Sequence, residues 1–147
     1  SLEGIIKGLE AIKSDIDRIV IELVKVNEEY VLNLNRVDQL YTKGIESTGN
    51  KLPSYSNYTI AIKQQKGDPF DRMTLKDTGA FHKGFYIIYE RDKFTISSTD
   101  IKSDKLRSDY SDDIFGLTDT NLQKLIDYLR PYIINLIKKV LNEYSNK

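Results

Sequence analysis

The sequence predicts an α+β fold made of a long N-terminal helix, a small antiparallel sheet with a β-hairpin, and a C-terminal helix. Three observations predict it. Apolar residues recur every three or four positions from Leu2 to Tyr41, residues 84–98 alternate with a period of two about a turn at Arg91-Asp92, and a second helical stripe follows Thr118-Asp119. No internal repeat or low-complexity tract interrupts this order, so residues 1–147 read as a single domain. Its regions are an N-terminal helical part at 1–43, a loop, short helix and hairpin at 44–98, and a C-terminal helical part at 102–145.

The N-terminal stripe comprises Leu2, Ile5, Leu9, Ile12, Ile16, Ile19, Leu23 and Val26, then Tyr30, Leu34, Val37 and Tyr41. Its alternating steps of three and four resemble a coiled-coil seam. Gly4 and Gly8 weaken the first turns, and Ser14 with Asp17 forms a weak cap, so the pattern predicts two helices at 2–12 and 15–42, stopped by Gly44. Ile19, Val20, Ile21, Leu23, Val24 and Val26 cover more than one face. Such a helix is either buried on several sides in its own fold or shared between subunits.

Gly, Pro, Ser and Asn mark residues 45–58 as a loop, and Ser56 or Asn57 then caps a short helix from Tyr58 to Gln65 that Gly67 and Pro69 close. Met73 to Asp77 reads as a short extended or turn segment. Thr78-Gly79 is a tight turn in which glycine takes a positive φ. The strands are Gly84 to Glu90 and Lys93 to Ser98, burying one face and half-burying the other. Residues 102–110 form a helical turn. The last helix runs from Thr118-Asp119 to about Tyr144, with a kink or break near Leu129 because Pro131 removes a backbone hydrogen bond.

Composition narrows the function. With 39% apolar and 30% charged residues the chain belongs among folded globular proteins. Basic and acidic residues balance at 22 each, so no global field draws it to nucleic acid or to an anionic membrane. No apolar run reaches bilayer length, and the first residues lack the features of a signal peptide, so the reading is an uncleaved, non-secreted chain without a membrane partner. The absence of cysteine removes disulfides, thiolate metal sites and cysteine nucleophiles.

No residue set reads as catalytic, cofactor-binding or metal-ligating. The one histidine, His82, lacks ligand partners and reads as a surface residue in a turn-to-strand segment. The pairs Asp15/Asp17, Glu28/Glu29, Asp68/Asp71 and Asp112/Asp113 are adjacent in sequence, whereas general acid-base pairs converge across a cleft. Asp77-Thr78-Gly79 shares three residues with the aspartic-protease triplet but has no second copy, and is read as a structural turn. Lys63, Lys66, Arg72, Lys76 and Lys83 outnumber the acids between them, which marks a candidate phosphate or DNA-proximal stretch. Ten tyrosines serve interface or core equally well.

Leu75-Lys-Asp-Thr-Gly-Ala-Phe81 and Ile114-Phe-Gly-Leu-Thr-Asp-Thr-Asn121 together resemble segments of the tailed-phage neck, or tail-completion, family of virion morphogenesis proteins. Leu75-Lys-Asp-Thr-Gly-Ala-Phe81, followed by His82-Lys-Gly-Phe85 and a hairpin, is similar to that family's Leu-x-x-Thr/Ser-Gly-x-apolar signature. Ile114-Phe-Gly-Leu-Thr-Asp-Thr-Asn121 is similar to the Phe-Leu-Gly-Leu-Ser-Asp stretch that opens its last helix, although Asp112-Asp113 stands where an Arg-Pro pair is often found. The likeness spans roughly residues 35–130, including the long helix that ends at Lys43-Gly44. It implies a non-enzymatic virion part, assembled in the host cytoplasm, that forms a ring between head and tail. Its partners would be its own copies and portal, connector or tail proteins, with DNA passing through and no cofactor or small-molecule substrate.

Ile21 and Val24 on the long helix and Tyr86 and Ile88 on the hairpin are the candidate subunit interface. The alternative is a dimeric nucleic-acid-binding regulator that meets phosphates through the basic loop at 63–83.

Overall fold

A computed structural model describes residues 1–146 and has the α+β architecture, with 64% of residues in helix and 8% in strand. Helix α1 (Leu2–Val26) is continuous. Ser1, not Ser14, caps it, its hydroxyl accepting from Gly4 N at 3.0 Å, and the division expected near residues 12–15 falls at Asn27 instead. Asn27 ends α1 by folding its side chain back onto Leu23 O at 2.8 Å, and α2 (Glu28–Asn33) starts at once. The chain then winds as a π-helix, Leu34–Lys43, until Gly44 stops it at φ 63°.

Helix α3 (Asn57–Lys66) lies between the expected signals: Ser56 accepts from Thr59 N at 3.2 Å, and Gly67 closes the helix at φ 72°. A one-turn helix, α4 (Ala80–Lys83), separates the Gly79 turn from strand β1 (Phe85–Tyr89). β1 pairs antiparallel with β2 (Phe94–Ser98) in the register Phe85 to Ser98 and Ile87 to Ile96. Phe85, Ile87 and Ile96 point inward, while Tyr86 and Ile88 are exposed on the outer face. Helix α5 (Ser103–Tyr110) and a 3-10 turn (Asp112–Ile114) lead to α6 (Asp119–Ser145).

Helix α6 opens as its sequence predicts, with the Thr118 hydroxyl accepting from Asn121 N at 3.1 Å. It does not break at Pro131. Pro131 and Asp127, one turn earlier, both lie on the exposed side of the helix, where solvent is at hand for the carbonyl that proline deprives of a donor.

The main core gathers Val24, Val31, Leu32, Leu40, Phe81, Phe85, Ile114, Leu125 and Leu129 with their neighbours. α1 before Val20 adds nothing to that cluster, and no described residue of α6 after Leu129 is buried. These two ends instead form an antiparallel two-helix arm, closed where the Ser1 ammonium donates to Ser145 O at 2.8 Å. Gly4, Gly8 and Ile12 are the buried residues of its α1 strip.

Candidate functional site

The segment from Thr74 to Lys83 is held by two side chains from elsewhere in the chain, Tyr55 and Lys63, and by its own His82. Tyr55 Oη accepts from Thr74 N at 2.9 Å, His82 Nε2 donates to Thr74 O at 2.9 Å, and Lys63 Nζ donates to Lys76 O at 2.7 Å. His82 is therefore a buried clamp, only 7% exposed, and not the surface residue that the sequence suggested. Burial pushes its pKa below the usual histidine value, and the nearby Lys76 and Arg36 cations add to that, outweighing the opposite pull of the Thr74 and Leu75 carbonyl bonds. With Nε2 tied to a carbonyl, the ring is held as a structural donor. Between Thr74 and this ring lie Leu75, a non-glycine residue at φ 54°, and the Gly79 turn, where φ is 91° as expected.

α3, this segment and α5 enclose a cleft of about 680 Å³. Of the five basic residues proposed from sequence, Lys63, Lys66 and Lys76 line it, and Lys102 at the start of α5, which the sequence reading missed, joins them. Lys63 is not available to a DNA backbone, being 8% exposed with its ammonium turned onto Lys76 O and 5.4 Å from the Tyr55 ring centre. Arg72 is likewise engaged, its Nε donating to Tyr41 O at 2.8 Å and its Nη1 to Asp71 at 2.6 Å. Lys83 lies outside the cleft, on the opposite side of the Gly79 turn beside Tyr86 and Val37. Asp77 links Lys66 at 3.8 Å and Lys102 at 3.9 Å. The five cations thus do not form one phosphate-binding row.

The interface candidates divide as well. Ile21 and Val24 are buried within the chain's own fold, at 7% and 1% exposure, so they offer no surface to a neighbouring subunit. Val24 belongs to the main core. Tyr86 and Ile88 do face solvent, at 38% and 44% exposure. An uncovered apolar stripe lies where the helix had looked ordinary: Leu2, Ile5, Ile6 and Leu9 are all exposed on the arm, because α6 packs against the Gly4 and Gly8 side. Of the heptad-like seam, Leu2, Ile5 and Leu9 are open, Ile12 and Leu34 are buried, and Val26 and Val37 are again exposed.

The segment from Ile114 to Thr118 is fixed by two buried amides one turn apart on the π-helix. Asn35 donates to Ile114 O at 3.1 Å and accepts from Gly116 N at 2.8 Å. Gln39 donates to Gly116 O at 2.8 Å and accepts from Thr118 N at 2.9 Å. Gly116 sits at φ 112°, a backbone state that side chains disfavour. Asn121 adds a bond to Leu34 O at 3.0 Å, tying the first turn of α6 to the same π-helix. This segment thus has a structural role that its residue types suit: a glycine for the turn and a threonine for the cap.

Among the described residues no group of three or more His, Asp or Glu side chains converges to hold a metal ion, and no helix is long and apolar enough to cross a membrane. No protein family model, curated protein or solved structure matches the chain.

Proposed function

We propose that this chain is a non-enzymatic virion structural subunit of the head-to-tail neck or tail-completion type, forming a ring with its own copies and contacting connector or tail proteins. The observation that carries the reading is the apolar stripe Leu2, Ile5, Ile6 and Leu9, left uncovered on an arm that projects from the core. Two helices packed only on each other bury half of their apolar surface at best, and a third element is needed to cover the rest. These four side chains are about half exposed, so covering them contributes several kcal/mol, at half of the ~1.5–3 kcal/mol of a full burial each, before the cost of association is subtracted. Tyr86 and Ile88 on the outer hairpin face offer a second contact away from the arm. The Leu75–Phe81 and Ile114–Asn121 segments, which carry the family resemblance, lie at the turn into α4 and at the entry to α6.

Balanced charge suits a subunit that lets DNA pass without gripping it. The nucleic-acid regulator has less to stand on, because Lys63 is recessed beyond the reach of a DNA backbone and Arg72 is engaged within the fold. Electron microscopy of purified virions, with the chain labelled, tests the assignment: label at the head-to-tail junction supports it, and absence of the chain from virions overturns it.

A further inference from the structure

Lys63 poses a problem that the assembly role does not solve. Its ammonium carries three donors, yet it makes one hydrogen bond, to Lys76 O, and no carboxylate among the described residues lies within ion-pair distance. A buried cation without a counter-ion is costly to maintain, and an aromatic face offsets only part of that cost. Lys63 lines the cleft between α3, residues 73–79 and α5.

We infer that this cleft binds a phosphorylated small molecule with an apolar or aromatic body, of which a nucleoside monophosphate is the simplest representative. The charge fits. Lys63, Lys66, Lys76 and Lys102 face two carboxylates, Asp77 and Asp100, which leaves a surplus of two positive charges on the walls, and a phosphate monoester carries about −1.5 to −2 at pH 7. A carboxylate would leave part of that surplus unmatched. The shape fits too, since a volume of about 680 Å³ lies in the range of small-ligand clefts. Met73, Leu75, Phe81 and Leu106 give the cleft an apolar floor, and Tyr55 and Tyr110 supply aromatic rings. Asp100, whose Oδ2 is buried and receives no hydrogen bond within the protein, stands at the edge of the cleft. Leu75, at φ 54° on that floor, adds the local backbone strain that ligand sites often store.

This site is independent of the assembly reading, and calorimetry on the full chain at low salt tests it with adenosine monophosphate and inorganic phosphate as probes. The expected result is a Kd for the nucleotide of about 1 mM or tighter, with inorganic phosphate weaker. Lys63→Met, which keeps the buried stem and removes the charge, should weaken nucleotide binding about tenfold or more, while Lys83→Met outside the cleft leaves it unchanged. If Lys63→Met does not fold, Lys102→Met on the rim supplies the same comparison against Lys83→Met. Failure of the wild-type chain to bind the nucleotide, equal losses in cleft and control variants, or inorganic phosphate binding as tightly as the nucleotide would each overturn the proposal. A single-stranded oligonucleotide that binds more tightly than the mononucleotide would overturn it in favour of a nucleic-acid surface.

Discussion

Gly4 of α1 lies directly against the main-chain carbonyl of Tyr144 in α6, so close that a methyl group at position 4 would overlap the oxygen. Gly8, one turn on, faces the Tyr144 Cβ at 3.1 Å and the Leu141 Cδ2 at 3.2 Å, measured from where its own Cβ would stand. Glycine to alanine in a helix ordinarily stabilises by about 1 kcal/mol. Here the sign should reverse. Gly4→Ala is expected to cost roughly 1–3 kcal/mol of local stability, because the obstacle is backbone and cannot rotate away. Faster amide hydrogen exchange over residues 5–12 would register it, and unchanged protection would show that the helices do not meet there.

Gln39 joins three partners, Gly116 O, Thr118 N and the Asn121 amide, all in or beside the entry to α6. Gln39→Leu keeps the volume and strands these groups without partners. The expected loss is roughly 2–5 kcal/mol in a denaturant titration. A change below about 0.5 kcal/mol, the level of an ordinary surface substitution, would show the clamp to be incidental.

Gly79 has room for a side chain, since the nearest atom to an added Cβ is Lys76 Cε at 3.6 Å, but its φ is 91°. Gly79→Val should therefore act through backbone strain alone, at roughly 1–3 kcal/mol. Urea unfolding of the variant measures this directly, and a loss under about 0.5 kcal/mol would remove the turn assignment.

His82 predicts a pH dependence. Its folded-state pKa is lowered, by burial first and by Lys76 and Arg36 next, so the unfolded chain takes up the proton more readily than the folded one. The stability it contributes is complete above the unfolded value of about 6.5 and is lost as pH falls from there toward the folded-state value. Melting temperatures between about pH 7.5 and 5 should fall more steeply for the wild type than for His82→Asn. Parallel curves would contradict the burial of a neutral imidazole.

Much of this fold was legible because its signals are local. Ser56 with Gly67, Thr118 with Asp119, and the alternation of Phe85, Ile87 and Ile96 each depend on near neighbours in the chain, and each element formed where those signals placed it. What escaped depends on contacts distant in sequence. Gly4 and Gly8 read as weak helix formers, whereas their use is to admit a helix 140 residues on, as the Gly4 and Tyr144 contact requires. The stripe around Ile21 and Val24 was visible, but nothing local showed that the chain's own core covers it and leaves Leu2 to Leu9 open. Glutamate at Ile21 or Val24 is expected to unfold the chain, because both side chains are buried within its own fold. The cleft was half legible: charge marked Lys63, Lys66 and Lys76, but Lys102 reaches the same place through α5, which sequence spacing cannot reveal.

Whether the apolar stripe on the arm meets other copies of the chain, as proposed, is tested most directly by particle mass from light scattering over a concentration series. The wild-type chain should rise to a multiple of the protomer mass, and Ile6→Glu combined with Leu9→Glu should return it to a single protomer with an unchanged far-ultraviolet circular dichroism spectrum. A wild-type chain that stays a single protomer at every concentration, indistinguishable from the double variant, would contradict that proposal.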